Sequence, residues 1–335
     1  MKENWAKFLM CFSVSLNLKK FVTRGRDASP LDVLDGVRVL SIFWVILGHS
    51  YFYPIAEGNS IRNITDISQF LKEFLFMVVT SGLLAVDTFF FMSAFLGAYI
   101  FLVKSPQQFS PRMLVEVPIA YFHRYYRLTP LLAFIIYFGA YVIYPLGSGP
   151  LGTETADFTR RCDSYGWADL LYINNFYPKN SEVCEGQTWY LANDMQLFLL
   201  LPWLMICYRV HKLLGYAVIG ACLVANLIVS FYIAWHYNLG IGLTEPDNFF
   251  DVFYDKPWVR ATPYLVGILA GIVYYEYKEE LKRAKQESTS SELRFKGSCI
   301  YSLFDIATRS TFFSLLYFIV GLGITFTCVF VYYPY

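Results

Sequence analysis

Residues 31–53 read LDVLDGVRVLSIFWVILGHSYFY, an apolar run of membrane-spanning length that contains ionisable side chains. Arg38 and His49 are close to three helical turns apart, so a helix would place both on one face, about 16 Å apart. Asp35 lies one turn before Arg38 and is placed to pair with it. Because ionisable groups are costly in a bilayer core, they usually face a protein interior or a substrate path. The alternative is an arginine that extends to the interface and a histidine satisfied by a neighbouring helix.

The composition of the whole chain is that of a polytopic membrane protein. Of its 335 residues, 56% are hydrophobic and only 16% are charged, which is more apolar than a soluble domain of this size. The net charge of +1 gives no reason to expect a nucleic-acid partner. Asp87 interrupts the second apolar segment and is expected to be buried against a partner. The apolar segments predict an all-α transmembrane bundle of about seven spans, at residues 31–53, 74–103, 128–145, 188–208, 213–235, 258–275 and 312–333.

The charges between the spans predict the orientation in the membrane. Connections rich in lysine and arginine alternate with polar or acidic ones, and basic connections stay on the cytoplasmic side. This pattern predicts a cytoplasmic N-terminus, with residues 1–30 as a basic lead-in at the membrane interface and residues 31–335 as the transmembrane domain. Within that domain, residues 146–187 form a non-cytoplasmic loop and residues 276–311 a cytoplasmic one. A signal-peptide core is the competing interpretation of the lead-in.

Two features of the predicted non-cytoplasmic side bear on the compartment. The seven cysteines lack the spacing of a zinc site, so we expect no metal. Only Cys162 and Cys184 share a polar loop, and they are disulfide candidates if that loop faces an oxidising lumen; otherwise they are free thiols. Asn63 begins the sequon Asn-Ile-Thr and is a glycosylation candidate. The cysteine pair favours an endomembrane lumen over a mitochondrial membrane.

The candidate catalytic residues are Arg38, His49 and Asp194, and the candidate donor-binding residues are His123, Arg124 and Arg127. Histidine is the usual general base for a hydroxyl proton, which makes His49 the candidate base. Asp194, near the start of the fourth span and at the expected depth of His49, could orient the imidazole; the alternative is an aspartate that meets the positive end of a helix dipole. His123, Arg124 and Arg127 lie at the cytoplasmic entrance of the third span. Guanidinium groups bind phosphates bidentately, and the alternative is ordinary anchoring at the membrane surface.

Five segments, in this order, resemble the membrane acyltransferase-3 family and its nose-resistant-to-fluoxetine-like branch: LDGVRVLSIFWVILGHSYFY, VDTFFFMSAFLGAYIF, HRYYRLTPLLAF, LLYINNFYP and WYLANDMQLFLLLPWL. The resemblance implies a multi-span helical enzyme that moves an acyl group from cytoplasmic acyl-CoA to a hydroxyl acceptor. Arg38 and His49 match the family's arginine, ten intervening residues and histidine, and Arg124 and Arg127 match its arginine pair. The resemblance implies that His49 is the base and that the arginine pair contacts the phosphates of the donor.

The sequence also departs from the family pattern. Members of this branch usually carry a cysteine-rich lumenal domain, a span before the lead-in and further spans beyond the seven, so the chain is expected to be shortened at both ends. The family's Ser-Gly-Phe is Ser93-Ala94-Phe95 here, which adds a methyl group where two helices are expected to approach closely.

Three functions follow as alternatives. The first is an O-acyltransferase of the endoplasmic reticulum, a related endomembrane or the plasma membrane, with acyl-CoA as donor and membrane lipids as partners. The second is a non-catalytic, lipid-binding subunit of a larger membrane assembly, for which the mitochondrial inner membrane is a further location; other membrane subunits would cover its polar faces. The third is a transporter of lipids or apolar drugs, although the sequence shows neither paired broken helices nor a repeat.

Overall fold

The computed structural model describes residues 10, 13–23, 31–57, 66, 69, 73–146, 152–179, 182–239, 249–287 and 310–330. These residues form helices and contain no β-strand, which confirms the predicted all-α fold. The chain divides into two units, Met1–Leu40 and Ser41–Tyr335. The helices are α1 (Val14–Val22), α2 (Val33–Glu57), α3 (Met77–Thr80), α4 (Ala85–Lys104), α5 (Arg112–Phe138), α6 (Gly152–Leu170), α7 (Trp189–Val210), α8 (Lys212–His236), α9 (Pro257–Glu287) and α10 (Thr311–Phe330).

The first unit contains α1 and the beginning of α2. The hydroxyl oxygen of Ser13 caps α1 by accepting a hydrogen bond from the backbone N–H of Leu16 at 3.4 Å. Arg38 donates to Asp35 at 2.8 Å, which confirms the pair predicted from their spacing. Both side chains are exposed, so this ion pair contributes little to stability. Residues 1–9, 11–12 and 24–30 of the predicted lead-in lie outside the described chain.

Among the described residues, six stretches are long and apolar enough to cross a membrane: Val33–Ile55, Met77–Lys104, Arg112–Ile143, Gly186–Val210, Lys212–His236 and Thr311–Phe330. They correspond to six of the seven predicted spans. The remaining segment forms α9, which packs between other helices of the second unit and buries Tyr264, Ile268 and Ile272. A helix that faces protein on several sides needs less apolar surface toward lipid, which explains why α9 tolerates Arg260.

The third span begins earlier than the sequence predicts. We expected it at residues 128–145, but α5 begins at Arg112 and only residues 105–111 connect it to α4. Two prolines, Pro118 and Pro130, lie within α5, and membrane helices tolerate proline more readily than soluble ones do. The arginine pair therefore lies well inside a helix rather than at its entrance.

The two long connections contain more helix than predicted. Residues 146–187 include α6, and a disulfide between Cys162 and Cys184 ties α6 to the segment that precedes α7. The predicted loop at residues 276–311 begins as helix, since α9 continues to Glu287.

Asn63, the glycosylation candidate, lies outside the described residues.

The centre of the second unit is a close contact between α4 and α9. Gly267 and Gly271 face the backbone of α4, and a Cβ built on Gly267 would lie only 2.9 Å from the Cβ of Ala94. Glycine on α9 allows the two backbones to approach this closely. The methyl group that Ala94 adds to the family pattern is accommodated because the residue opposite it has no side chain.

Gly267→Val is expected to lower the free energy of unfolding by about 2–3 kcal/mol, because the new side chain would enter the space of the Phe91 carbonyl and Ala94. Gly220→Ala on α8 is the matched control, since a Cβ there meets nothing within 4 Å and alanine favours a helix. Thermal unfolding in detergent micelles measures both changes. Equal stability of the two variants would contradict a tight contact between α4 and α9.

Asp87 has the protein partner that its position in a span predicts. Arg260 of α9 donates to Asp87 Oδ1 at 3.0 Å, and Arg260 Nε donates to the carbonyl oxygen of Tyr254 at 2.8 Å. The guanidinium group also lies 4.2 Å from the centre of the Tyr254 ring. This ion pair fixes the beginning of α9 against α4.

Candidate functional site

His49 lies on an exposed face of α2, in the second unit. Its Nδ1 is 2.8 Å from the carbonyl oxygen of Val45, one turn earlier. A carbonyl oxygen only accepts hydrogen bonds, so Nδ1 carries the proton and Nε2 of the neutral ring carries a lone pair. The ring of Tyr53 packs against the imidazole, with 5.4 Å between ring centroids. This arrangement presents a basic nitrogen on the surface of a spanning helix, as proton abstraction from a hydroxyl requires.

Two contacts hold this part of α2 against the residues that precede α4. The indole N–H of Trp44 donates to the carbonyl oxygen of Val78 at 2.6 Å. Gly48 faces Gly82, and a Cβ built on Gly48 would lie 3.7 Å from the Cα of Gly82. The contacts flank the Val45 carbonyl, so the hydrogen-bond acceptor of His49 has a fixed position.

Arg124 ends in a polar cluster between α4, α5 and α7. Its guanidinium group forms an ion pair with Asp194 and donates to Ser93 Oγ at 3.3 Å, while Ser93 donates to Asp194 Oδ1 at 2.8 Å. The guanidinium carbon also lies 4.1 Å from the centre of the Phe198 ring. The side chains of Arg124 and Asp194 are only 19% and 12% exposed. The cluster is therefore a largely buried ion pair that links three helices.

The expected contact between Asp194 and His49 is not made. The carboxylate oxygens of Asp194 bind Arg124 and Ser93, and Nδ1 of His49 is satisfied within its own helix. Arginine stays charged in proteins, so an arginine between helices must have a counterion, and Asp194 supplies it. The alternative interpretation, an aspartate at the helix dipole, does not apply either, because the first turn of α7 contains no acidic residue.

The three basic candidates on α5 have different surroundings. His123 and Arg127 are exposed, whereas the Arg124 side chain is largely buried and paired with Asp194. The two arginines therefore do not present two equivalent guanidinium groups. Their contact with donor phosphates stays a prediction.

A second polar cluster, which the sequence analysis missed, lies between α6 and the start of α7. Thr188 Oγ1 donates to Asp169 and accepts from Asn174 Nδ2 at 2.7 Å, and Gln187 Nε2 donates to Glu185 Oε2 at 2.5 Å. Burial raises the pKa of Asp169 to about 6. Burial, together with the charge of Asp169, raises the pKa of Glu185 to about 7. Asn174 belongs to the segment LLYINNFYP, but Asp169, Glu185 and Thr188 form no sequence motif, and the cysteine pair in the same loop was the signal near them.

Glu185→Gln is expected to reduce the pH dependence of stability. The folded state holds the Glu185 proton more tightly than the unfolded chain does, so the free energy of unfolding falls as the pH rises from the ordinary glutamate range through about 7. Glutamine still accepts a hydrogen bond from Gln187 but cannot ionise. Between pH ~5 and pH ~8, we expect the Tm of the variant to fall by about 2–4 °C less than that of the unchanged chain.

Thermal unfolding of the chain in nanodiscs at both pH values measures this difference. Glu279→Gln is the control, because Glu279 forms a surface ion pair with Lys282. If the Tm of Glu185→Gln changed with pH as much as the Tm of the unchanged chain does, Glu185 would not be the buried group that titrates.

Comparison with known proteins identifies the family of the chain. A sequence profile described as an acyltransferase domain matches residues 31–335. The chain is 30% identical over 282 residues to Nose resistant to fluoxetine protein 6 of Caenorhabditis elegans, an alignment that covers 78% of this chain and 34% of that protein. It is 22% identical over 318 residues to Regulator of hypoxia-inducible factor 1 of the same organism, which covers 88% of this chain and 59% of that protein.

The chain thus spans less than two thirds of the length of either relative, and no solved structure matches it significantly. The domain match extends over the six described helices that are able to cross a membrane. The protein is therefore an integral membrane protein that belongs to the acyltransferase-3 family.

Proposed function

We propose that the protein is an integral-membrane O-acyltransferase that moves an acyl group from acyl-CoA to a hydroxyl group of a lipid or another acceptor. The observation that carries the proposal is the hydrogen bond between His49 Nδ1 and the Val45 carbonyl, in a chain of the acyltransferase-3 family. That hydrogen bond selects the tautomer whose Nε2 can act as a base.

In the proposed reaction, Nε2 of His49 takes the proton of the acceptor hydroxyl while the hydroxyl oxygen attacks the thioester carbonyl of the donor. The new C–O bond forms a tetrahedral intermediate, which collapses as the C–S bond breaks. His49 then gives its proton to the leaving sulfur. The products are an ester and free CoA thiol, and the imidazole returns to its starting tautomer.

Donor binding is proposed for the basic residues on α5. Arg127 and His123 are exposed, and a guanidinium group suits the phosphates of acyl-CoA because it donates two parallel hydrogen bonds. Arg124 would contact the same donor through the N–H groups that Asp194 does not occupy.

The Cys162–Cys184 disulfide supports a location in the endoplasmic reticulum, a related endomembrane or the plasma membrane. Disulfides persist where a loop faces an oxidising compartment and are rare on the cytosolic side. This location is consistent with the predicted non-cytoplasmic position of the loop.

A lipid-binding structural subunit is the second candidate function. The observation that favours it is the ion pair between Arg124 and Asp194, which occupies one of the two arginines proposed for donor binding. Under this alternative, the chain binds membrane lipids and other membrane subunits and transfers no acyl group.

Acyl transfer by the purified chain in nanodiscs distinguishes the two functions. Labelled acetyl-CoA and long-chain acyl-CoA are offered with mixed phospholipid and sterol acceptors, and acyl-CoA binding is measured in parallel. Formation of an ester, with donor binding weakened by Arg127→Ala but not by Lys282→Ala, would support the enzyme. A folded chain that neither binds acyl-CoA nor forms an ester would overturn it in favour of the structural subunit.

A further inference from the structure

The imidazole of His49 is held on two sides. Its Nδ1 bonds to the Val45 carbonyl, and the ring of Tyr53, one turn later, covers it at a centroid distance of 5.4 Å with 31° between the planes. Residues four apart lie on the same helix face, so this contact follows from the spacing. Because Tyr53 covers the imidazole, a movement of Tyr53 would change the direction in which Nε2 points.

The hydroxyl group of Tyr53 connects this pair to the short turn that precedes α7. It donates to Gln187 Oε1 at 3.0 Å, while Gln187 Nε2 donates to Glu185 Oε2 at 2.5 Å. Both ends of the Gln187 amide are thus engaged, one as acceptor and one as donor, which fixes the orientation of the amide. The Tyr53 hydroxyl therefore has an acceptor in a defined position.

The segment that carries Gln187 is firmly anchored. Cys184, Glu185 and Thr188 are all buried, Cys184 is bonded to Cys162 of α6, and Thr188 bonds to Asp169 of α6. The hydrogen bonds that begin at Tyr53 therefore end in the packed interior of the second unit.

The end of α2 needs such an anchor more than the rest of the helix does. Pro54 lies inside α2 and has no backbone N–H, so the helical hydrogen bond to the carbonyl of Ser50 is missing. Beyond Gly48, ring contacts join this end to distant parts of the chain at Phe52 with Phe250, at 5.8 Å, and at Tyr51 with Phe76, at 5.4 Å. The bond between Tyr53 and Gln187 directly restrains the turn on which Tyr53 covers His49.

We propose that Tyr53 and Gln187 are positioning residues, which hold the His49 imidazole in its working orientation by tying the last turns of α2 to the disulfide-linked segment before α7. The proposal rests on the proposed role of His49 as the base. Tyr53 and Gln187 themselves need not contact either substrate.

Tyr53→Phe and Gln187→Leu test this role, because each removes the hydrogen bond and Tyr53→Phe keeps the aromatic ring. We expect each to lower kcat by about 10- to 100-fold, as small misplacements of a catalytic group do, with the KM for acyl-CoA within about twofold of the unchanged chain. The double variant should be no slower than the slower single variant, since both changes remove one bond. Tyr51→Phe, which removes a hydroxyl from the same turn, is the matched control and should leave kcat unchanged.

Hydrogen–deuterium exchange of the backbone amides at residues 50–57, in nanodiscs, provides a readout that does not depend on activity. Exchange should be faster in Tyr53→Phe and Gln187→Leu than in Tyr51→Phe and the unchanged chain. If exchange were faster in these variants but the chain transferred no acyl group, the result would support the restraint of α2 by the Tyr53–Gln187 hydrogen bond and count against the acyltransferase. Unchanged exchange, or an active chain whose kcat survives both changes, would overturn the positioning role.

Discussion

Asp194→Ala is expected to lower the free energy of unfolding by about 3–5 kcal/mol, the largest stability effect that the structure predicts. The change leaves the Arg124 guanidinium as an uncompensated charge among α4, α5 and α7, beside Ser93 and the face of the Phe198 ring. Arginine cannot lose its charge to relieve this cost. Chemical unfolding in detergent micelles, followed by circular dichroism, measures the loss.

A double variant separates the stability cost of the unpaired Arg124 charge from the other effects of Asp194→Ala. Arg124→Met with Asp194→Leu removes both charges and should recover most of the stability, because replacing a whole buried ion pair by apolar groups is often neutral or stabilising. Glu279→Ala, which breaks a surface ion pair with Lys282, should cost less than about 1 kcal/mol. If Asp194→Ala cost no more than Glu279→Ala, the ion pair within the membrane would not have the structural role described.

The helical architecture could be predicted from the sequence because its cause is local. An apolar run of about 20 residues has few alternatives to a spanning helix, so the spans follow from composition alone. The pair between Asp35 and Arg38 was also predictable, since residues three apart on a helix are neighbours. The early start of the third span was not, because the basic residues between Lys104 and Arg127 favour a cytoplasmic connection there.

The partners of the ionisable residues could not be predicted, because they come from distant parts of the chain. Asp194 is 70 positions from Arg124, and Gln187 is 134 positions from Tyr53. Depth in the membrane suggested His49 as the partner of Asp194, but depth does not define which face of a helix a side chain occupies. A fixed positive charge on α5 decided the pairing instead.

The packing of α4 against α9 is an intermediate case. The glycines of α9 are visible in the sequence as Gly267 and Gly271, four positions apart, a spacing typical of close helix contacts in membranes. The sequence indicates the contact but not the partner helix. The structure supplies Ala94 and Ala98 of α4 as the facing small residues.

His49→Ala is the second change with a large expected effect. Loss of a positioned general base is expected to lower the rate of acyl transfer by about 10²- to 10⁴-fold. Acyl-CoA affinity should stay within about twofold, because His49 is not proposed to bind the donor. Added imidazole should restore part of the rate, since it supplies the missing nitrogen base without changing the fold. His211→Ala, at the junction of α7 and α8, is the control histidine and should transfer at the rate of the unchanged chain.

The measurement that tests the central claim most directly is therefore the single-turnover rate of acyl transfer by the chain in nanodiscs, with and without the His49→Ala change and with and without added imidazole. We predict a rate that falls with the substitution and rises again with imidazole. A folded His49→Ala variant that transfers the acyl group at the unchanged rate would contradict the assignment of His49 as the base.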